Sequence, residues 1–133
     1  MIEAGCAATL SHTVASGDLA SAYANAPNER YPDVLSTPAL LALIERACAA
    51  LMQRELGDGQ LSVGVTTHLT HLAPTPPAMN VDATATFRSM EGALYWFDIV
   101  AADAAGPVAT ASHARAIVDR AVIEARAAKR VAR

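Results

Sequence analysis

One stretch of the sequence is apolar on nearly every side of a helix. Between Ala39 and Met52 the only charged residues are Glu45 and Arg46, and most of the others are alanine and leucine. Alanine and leucine are strong helix formers, and a helix that is apolar all round must be covered by the rest of its domain. The stretch therefore predicts one long core helix around which the other elements fold.

The residues that flank this stretch define the ends of the predicted helix. Thr37 suits the N-cap and Pro38 the first helical position, while Gly57 suits the left-handed residue that follows a helix. Glu45 lies two turns into the helix, where a buried carboxylate is costly unless it is paired or used. We expect Glu45 either to form an ion pair with an arginine or to take part in chemistry.

Alternating segments on both sides of the helix predict strands. The predicted strands cover residues 7–16, 61–71, 79–88, 93–102 and 107–118. Short turns separate the last four, which favours antiparallel hairpins. A sheet of about five antiparallel strands wrapped around one buried helix is the hotdog architecture, of class α+β.

Length and composition predict one domain over residues 1–133. The 53% hydrophobic and 17% charged content is typical of a compact core, which we place at about residues 7–118. The segment 119–133 holds five basic and two acidic residues and is expected to be a solvated helix or tail. Because the whole chain carries a net charge of −3, nucleic acid is not an expected partner.

The sequence also predicts a cytoplasmic protein that does not enter a membrane. The apolar run Pro38–Ile44 has seven residues, whereas a spanning helix needs about 20. The N-terminus lacks the basic and apolar pattern of a signal peptide. Cys6 and Cys48 are two lone thiols, and Cys48 lies in the apolar helix, which indicates packing rather than a disulfide.

Three polar side chains are candidates for chemistry on geometric grounds. Thr37 lies at the helix N-terminus, where free N–H groups suit a developing oxyanion, but it could also serve only as a cap. Glu45 is eight residues further on, or about 12 Å along the axis, so the two could flank an extended substrate without touching. His71 ends a strand on the face it shares with Leu69 and Val65, and is either a core histidine or a site residue.

Other polar residues have weaker signals. His68 and His71 lie on opposite faces of a strand, and no Cys or Asp completes a ligand set, so we expect no metal. His113 and Arg115 share one face of the last strand, where Arg115 could hold a phosphate or pantetheine or could be an ordinary surface arginine. Tyr31, just before the helix, is either a packing residue or a lid.

Several short motifs between residues 31 and 118 occur at intervals that form a recognisable set. They are Tyr31-Pro32-Asp33-Val34, Thr37-Pro38, Glu45 with Ala47-Cys48, Gly64, His71 with Ala73-Pro74-Thr75-Pro76-Pro77, and Ser112-His113-Ala114-Arg115-Ala116-Ile117. Together they resemble the fluoroacetyl-CoA thioesterase-like family of hotdog thioesterases.

The resemblance implies a role for five residues. In that family a helix threonine, a helix glutamate and a strand histidine form the catalytic group, which implies that Thr37, Glu45 and His71 are catalytic. A strand glycine and a late arginine contact the acyl-CoA in the family, which implies that Gly64 and Arg115 bind substrate. His71 would then act as general base, and Glu45 would orient it or activate water.

The sequence departs from the family pattern at three positions. Ala111 stands where a glycine is common two residues before the His-x-Arg histidine, and Pro74 stands where alanine is more usual. Tyr31 takes the place of a phenylalanine gate and is expected to contact substrate. Because tyrosine is more polar, selectivity for fluoroacetyl groups does not follow from the resemblance.

The expected function is therefore hydrolysis of an acyl-CoA thioester with a small or short acyl group, without a cofactor. The protein is expected to be a homodimer or a dimer of dimers whose sheets pair edge to edge, with a site that is completed across the dimer. Two alternatives remain open: a non-catalytic acyl-CoA or lipid-binding hotdog protein, and a hydratase, which would need a His/Asp pair on a different segment.

Overall fold

The computed structural model of the chain describes residues 1–131, and its core is one antiparallel sheet packed against one long helix. The strands are β1 (Ala7–Thr13), β2 (Gln60–His71), β3 (Asn80–Glu91), β4 (Leu94–Asp103) and β5 (Gly106–Asp119). The helices are α1 (Thr37–Met52) and α2 (Arg120–Lys129), and short 3-10 turns cover Ser16–Asp18, Ala20–Tyr23 and Gln53–Glu55. The strand order across the sheet is β1-β3-β4-β5-β2, so β1 and β2 are the two edges. These elements confirm the predicted five-stranded sheet, core helix and C-terminal helix.

The start of α1 differs from the prediction by one residue. Ser36, not Thr37, is the N-cap, because its side chain accepts a hydrogen bond from the backbone N–H of Ala39 at 3.1 Å. Thr37 is then the first helical residue and Pro38 the second, where a missing N–H is still tolerated. The Thr37 side chain is exposed and makes its hydrogen bond elsewhere.

The end of α1 also differs. The helix passes through right-handed residues into the 3-10 turn Gln53–Glu55, and Gly57 does not adopt a positive φ. The left-handed position is Gly59, with a φ of 76°, in the turn before β2. The predicted C-cap at Gly57 is therefore wrong, because the turn that needs glycine comes two residues later.

One side of α1 is buried against the sheet. Its buried residues recur with helical spacing and are Leu40, Leu43, Ile44, Ala47, Cys48, Leu51 and Met52. They pack on the apolar face of the central strands, where Phe97 and Ile99 are almost completely buried. Ala42 and Ala50 on the opposite side of α1 are exposed, so the sheet covers one side of the helix rather than enclosing it.

A bulge in β2 changes which side chains face the helix. The pairing of β2 with β5 shifts between Gly64 and Thr66, and Val65 is left 53% exposed. A bulge inserts one residue, so the alternation of faces is reset at that point. The predicted common face for Val65, Leu69 and His71 is therefore wrong, since Val65 points away from the helix.

The remaining features concern the ends of the fold. Within residues 1–131, no helix is both long and apolar enough to cross a membrane. Asp119 is the N-cap of α2, and its carboxylate accepts hydrogen bonds from the backbone N–H groups of Ala121 and Val122. Its side chains are mostly exposed, as predicted for a basic tail helix, and Arg133 lies outside the described residues.

Candidate active site

Two segments that are distant in sequence meet at the N-terminus of α1. The backbone N–H of Leu35, just before the helix, donates to the carbonyl of Thr75, just after β2. Thr75 is fully buried, and its hydroxyl donates to Asp103 at 2.8 Å, which fixes the loop after β2 to β4. These contacts hold the end of β2 against the start of α1.

Thr37 and His71 form a hydrogen bond at this junction. The distance between Thr37 Oγ1 and His71 Nδ1 is 2.9 Å. The other ring nitrogen, His71 Nε2, is buried and has no hydrogen-bond partner among residues 1–131. The pair therefore has an exposed hydroxyl, that of Thr37, at one end. At the other end it has a ring nitrogen, His71 Nε2, whose hydrogen bonding is unsatisfied.

Two clefts flank the Thr37–His71 pair. One has a volume of about 290 Å³ and is lined by Ala20, Tyr23, Tyr31, Ser36, Thr37 and Pro38. The other is also about 290 Å³ and is lined by Val34, His71, Leu72, Ala73 and Pro74. Tyr31 is 47% exposed at the first cleft, and a hydrogen bond to Glu29 raises the pKa of its hydroxyl. Its place beside Thr37 suits either a packing residue or a lid, so its predicted substrate contact stays a prediction.

Glu45 lies in a second cluster, in which Arg115 is its nearest charged partner. Arg115 Nη1 donates to Glu45 Oε1 at 3.3 Å, and His113 Nε2 lies 3.9 Å from the same oxygen. The Glu45 side chain is 40% exposed and that of Arg115 only 8%. The contacts of Glu45 thus join helix α1 to β5 and do not include His71. Both interpretations of Glu45 stay open, because the ion pair is present and the carboxylate is also accessible.

Arg115 is held almost entirely by groups inside the chain. Its Nε donates to Ser62 Oγ and its Nη2 to the Ser62 carbonyl, both at 2.9 Å. Its Nη1 serves both Glu45 and His113. Arg115 is therefore a buried arginine of the helix-facing side of the sheet and not an ordinary surface arginine. Its predicted contact with the acyl-CoA would use only the one Nη2 hydrogen that these bonds leave.

Gly64 lies beside the Glu45 carboxylate. A Cβ atom at this position would be 2.4 Å from Glu45 Oε1 and 3.0 Å from His113 Cε1. Any other residue would push the carboxylate away from the strand, so the structure gives Gly64 a role in making room for Glu45. The predicted contact between Gly64 and substrate stays a prediction.

His113 belongs to this cluster, although the sequence did not single it out as a site residue. It is 1% exposed, and its Nδ1 lies 2.6 Å from Thr67 Oγ1 while its Nε2 lies 3.0 Å from Arg115 Nη1. Burial, and secondarily the Arg115 charge, lower the pKa of its imidazole. The available signal was the His-x-Arg spacing, which puts both side chains on one face of β5.

Cys48 is the remaining reactive group near the cluster. It is fully buried on α1, and burial raises the pKa of its thiol to about 12. A thiol with so high a pKa is a poor nucleophile at neutral pH. Cys48 is therefore a packing residue, as its place in the apolar helix predicted.

Comparisons with known proteins bear on this arrangement. A family model described as "FlK: Fluoroacetyl-CoA-specific thioesterase" matches residues 14–121. The "Fluoroacetyl-CoA thioesterase" of Streptantibioticus cattleyicolor is 34% identical over 88 residues, which are 66% of this chain and 63% of that protein. The matched part thus spans less than two thirds of that relative's length.

Solved structures agree with the same family and with the predicted architecture. The structure of the fluoroacetyl-CoA thioesterase FlK matches with a TM-score of 0.93 at 27% identity, covering 99% of each chain. A hot-dog-like protein from Thermanaerovibrio acidaminovorans matches with a TM-score of 0.86 at 25% identity, covering 98% of this chain and 93% of that one. The hotdog fold predicted from the sequence is confirmed. Since the family model covers most of its length, the chain belongs to the fluoroacetyl-CoA-specific thioesterase family.

Proposed function

We propose that the protein hydrolyses an acyl-CoA thioester with a small or short acyl group to the free acid and CoA. The observation that supports this most directly is the hydrogen bond between an exposed threonine hydroxyl and a histidine at a helix N-terminus. This pairing of a hydroxyl with a base, at the positive end of the helix dipole, suits attack on a carbonyl carbon. Membership of a thioesterase family supports the thioester as the bond that is broken.

In the proposed reaction, His71 Nδ1 accepts a proton from Thr37 Oγ1 or from a water molecule that Thr37 positions. The resulting oxygen nucleophile adds to the thioester carbonyl, and the N-terminus of α1 stabilises the oxyanion. Collapse breaks the C–S bond, and the proton on His71 passes to the leaving thiolate. If Thr37 itself attacks, a water molecule hydrolyses the acyl-threonine in a second step.

A base at His71 Nδ1 has a structural requirement. When Nδ1 accepts a proton from Thr37, the neutral ring carries its own proton on Nε2, and that N–H needs an acceptor. Nε2 is buried without a partner among the described residues, while Glu45 carries a carboxylate that is 40% exposed. We propose that Glu45 of the partner subunit accepts from His71 in a homodimer.

The sheet edge makes this assembly geometrically reasonable. β2 is an edge strand of 12 residues, and an uncovered edge of this length favours pairing with another strand. Antiparallel pairing of two β2 strands about an axis at His68, with the bulge residue Val65 left unpaired, would set His71 opposite Gly64 of the partner subunit. Because the Glu45 carboxylate lies against Gly64, this register would bring it to the histidine.

Mixing two inactive variants tests the shared site. In a heterodimer of Glu45→Gln and His71→Ala protomers, one site would combine an intact His71 with an intact Glu45. We expect equal mixing to restore about a quarter of the wild-type activity, the share of intact sites in a random mixture of two-fold dimers. No recovery, although native mass spectrometry shows exchanged dimers, would mean that each site lies within one subunit. A concentration-independent monomer would exclude the dimer itself.

A panel assay tests the reaction and its substrate class. Acetyl-, fluoroacetyl-, propionyl-, isobutyryl- and benzoyl-CoA would be compared by the release of free thiol, with Thr37→Val as the inactive reference. We expect turnover to be greatest for the small acyl groups. We also propose that no cofactor is required, since CoA is part of the substrate, so treatment with a chelator should leave kcat unchanged. A cytoplasmic location is part of the proposal, and fractionation of cells that produce the protein would test it.

The non-catalytic alternative has its own supporting observation. Glu45 is already paired with Arg115, as a purely structural carboxylate would be. A protein that binds acyl-CoA but releases no thiol from any member of the panel would support this alternative.

The hydratase alternative also has an observation in its favour. It would need a His/Asp pair on another segment, and His12 Nε2 lies 2.6 Å from Asp18 Oδ2 at the β1 edge. This pair lines a cleft of about 150 Å³ together with Arg46. Hydration of an enoyl-CoA that is lost in His12→Ala and kept in Thr37→Val would support a hydratase.

A further inference from the structure

The second cluster contains a hydrogen-bond chain that ends on Glu45. It begins at Thr67 on β2, passes through His113 and Arg115 on β5, and reaches the carboxylate on α1. The first link connects β2 to β5, and the last connects β5 to α1. His113 is only 1% exposed, so its position is fixed by packing as well as by hydrogen bonds.

The chemistry of arginine determines the tautomer of His113. A guanidinium has only N–H donors, so His113 Nε2, 3.0 Å from Arg115 Nη1, must be the acceptor. The proton of the neutral ring then lies on Nδ1, which donates to Thr67 Oγ1 at 2.6 Å and also faces the carbonyl of Thr66. The charged groups near the ring are Arg115 on its own strand and Glu45 on α1, and burial keeps the ring neutral by lowering its pKa.

The same nitrogen of Arg115 contacts both the histidine and the glutamate. One Nη1 hydrogen points to His113 Nε2 and the other to Glu45 Oε1. Ser62 holds the opposite side of the guanidinium through Nε and Nη2. The planar group is thus fixed from two directions, and its remaining Nη1 hydrogen is aimed at the carboxylate beside Gly64.

We propose that His113 is a positioning residue, which orients the Arg115 guanidinium and through it the Glu45 carboxylate for catalysis. This inference rests on the proposed thioesterase function, because it assigns His113 a task only if Glu45 takes part in the reaction. Without an acceptor at this place, one Nη1 hydrogen would lose its partner, and the guanidinium could turn away from Glu45. A carboxylate displaced by about 1 Å can lower a rate by up to about 100-fold.

Two substitutions distinguish the effect of the His113 hydrogen-bond acceptor from the effect of the volume of its ring. His113→Phe keeps a buried ring but removes the acceptor, and we expect kcat to fall by about 10-fold or more with KM little changed. His113→Gln can accept from Arg115 through its amide oxygen, and we expect it to keep most of the activity. His12→Phe is the matched control, because His12 lies on β1, at the opposite edge of the sheet from β2 and outside the cluster.

A double-mutant cycle shows whether His113 acts through Glu45. In a Glu45→Gln background, His113→Phe should lower kcat no further, because the carboxylate that it positions is already absent. A purely structural histidine would lower the melting temperature in both backgrounds and leave the kcat of the folded protein unchanged. Additive losses in kcat, or a folded His113→Phe protein with wild-type kcat, would overturn the inference.

Nitrogen NMR of histidine-labelled protein adds a readout that is independent of turnover and of the stability of His113→Phe. The His113 signal, assigned by its absence in His113→Gln, should show a protonated Nδ1 and an unprotonated Nε2 at neutral pH. The opposite tautomer or a doubly protonated ring would overturn the inference. If the wild type turned over no acyl-CoA, the proposed function and the positioning role would both be wrong. Wild-type turnover together with unaffected variants would overturn the positioning role alone.

Discussion

The two polar clusters on α1 differ in how completely their hydrogen bonds are satisfied. At the N-terminus of the helix, Thr37 is exposed and His71 Nε2 is buried without a partner among the described residues. Two turns later, Glu45 and Arg115 belong to a network that fixes the guanidinium with four hydrogen bonds. The first cluster presents reactive atoms and the second holds one carboxylate in place. We propose a division of labour in which the first cluster carries out the chemistry and the second positions the Glu45 carboxylate.

The largest loss of kcat is expected when the histidine of the first cluster is removed. His71→Ala removes the proposed base, and we expect kcat to fall by about 1,000-fold, within the range typical of a lost general base. His12→Ala, on the opposite edge strand β1, is the control and should keep wild-type kcat for thioester hydrolysis. Steady-state kinetics of both proteins, with circular dichroism to confirm folding, would check this. Equal activity of the two variants would place the chemistry elsewhere.

Substitutions at Thr37 and Ser36 distinguish the catalytic role of the first cluster from the capping of α1. Thr37→Val should lower kcat by about 100-fold or more without loss of stability, because Ser36 and not Thr37 caps the helix. Ser36→Ala should do the reverse, with a loss of about 1 kcal/mol in unfolding free energy and an unchanged kcat. Chemical denaturation and kinetics measured on both variants would check the pattern. If Thr37→Val were the destabilised variant, its main role would be structural.

Glu45→Gln tests whether the second cluster contributes to chemistry. The amide can still accept from Arg115, so we expect little change in melting temperature, while kcat should fall by about 100-fold through loss of the charge. Glu124→Gln, on the exposed face of α2, is the matched control. A Glu45→Gln protein with a much lower melting temperature and near-normal kcat would make Glu45 a structural ion-pair partner.

Gly64→Ala would move the Glu45 carboxylate without removing it. The added Cβ would come within 2.4 Å of Glu45 Oε1, so the side chain must shift. We expect kcat to fall by about 10-fold, less than for Glu45→Gln, because the carboxylate remains but is misplaced. Gly17→Ala is the control, since a Cβ there has no neighbour within 4 Å and its φ is not positive. Equal kcat for both alanine variants would mean that Glu45 tolerates the shift.

The smallest expected effect lies away from both clusters, at Asp18. Its pKa is lowered first by the hydrogen bond from the backbone N–H of Ala15, and also by His12. A lowered pKa means that the stabilisation is present above the unfolded pKa of 3.8 and is lost as the pH falls through the folded value. Asp18→Asn should therefore cost about 1 kcal/mol of unfolding free energy at neutral pH, with a smaller cost in acid and an unchanged kcat. Denaturation curves at several pH values would check this, and a cost that does not depend on pH would contradict it.

The sequence alone determined the elements of the fold, because these depend on local patterns. The apolar stretch after Ser36 is a helix in any context that can cover it, and the alternating segments can form only strands with one buried face. The set of short motifs between residues 31 and 118 also indicated the family, which the family model confirms. These features are repeated over many residues, so a displacement of one residue at an element's end does not change them.

The tertiary structure decided which polar groups meet, because those contacts depend on register and not on local preference. Ser36 and Thr37 are both good caps, and the packing of the preceding segment chose between them. The bulge after Gly64 reset the faces of β2, which no alternation pattern could predict. Arg115 reaches Glu45 across 70 residues of sequence, and Thr37 reaches His71 across 34. Sheet order and helix placement decide which of these side chains become partners. The sequence shows the identity of each side chain but not its neighbours in space.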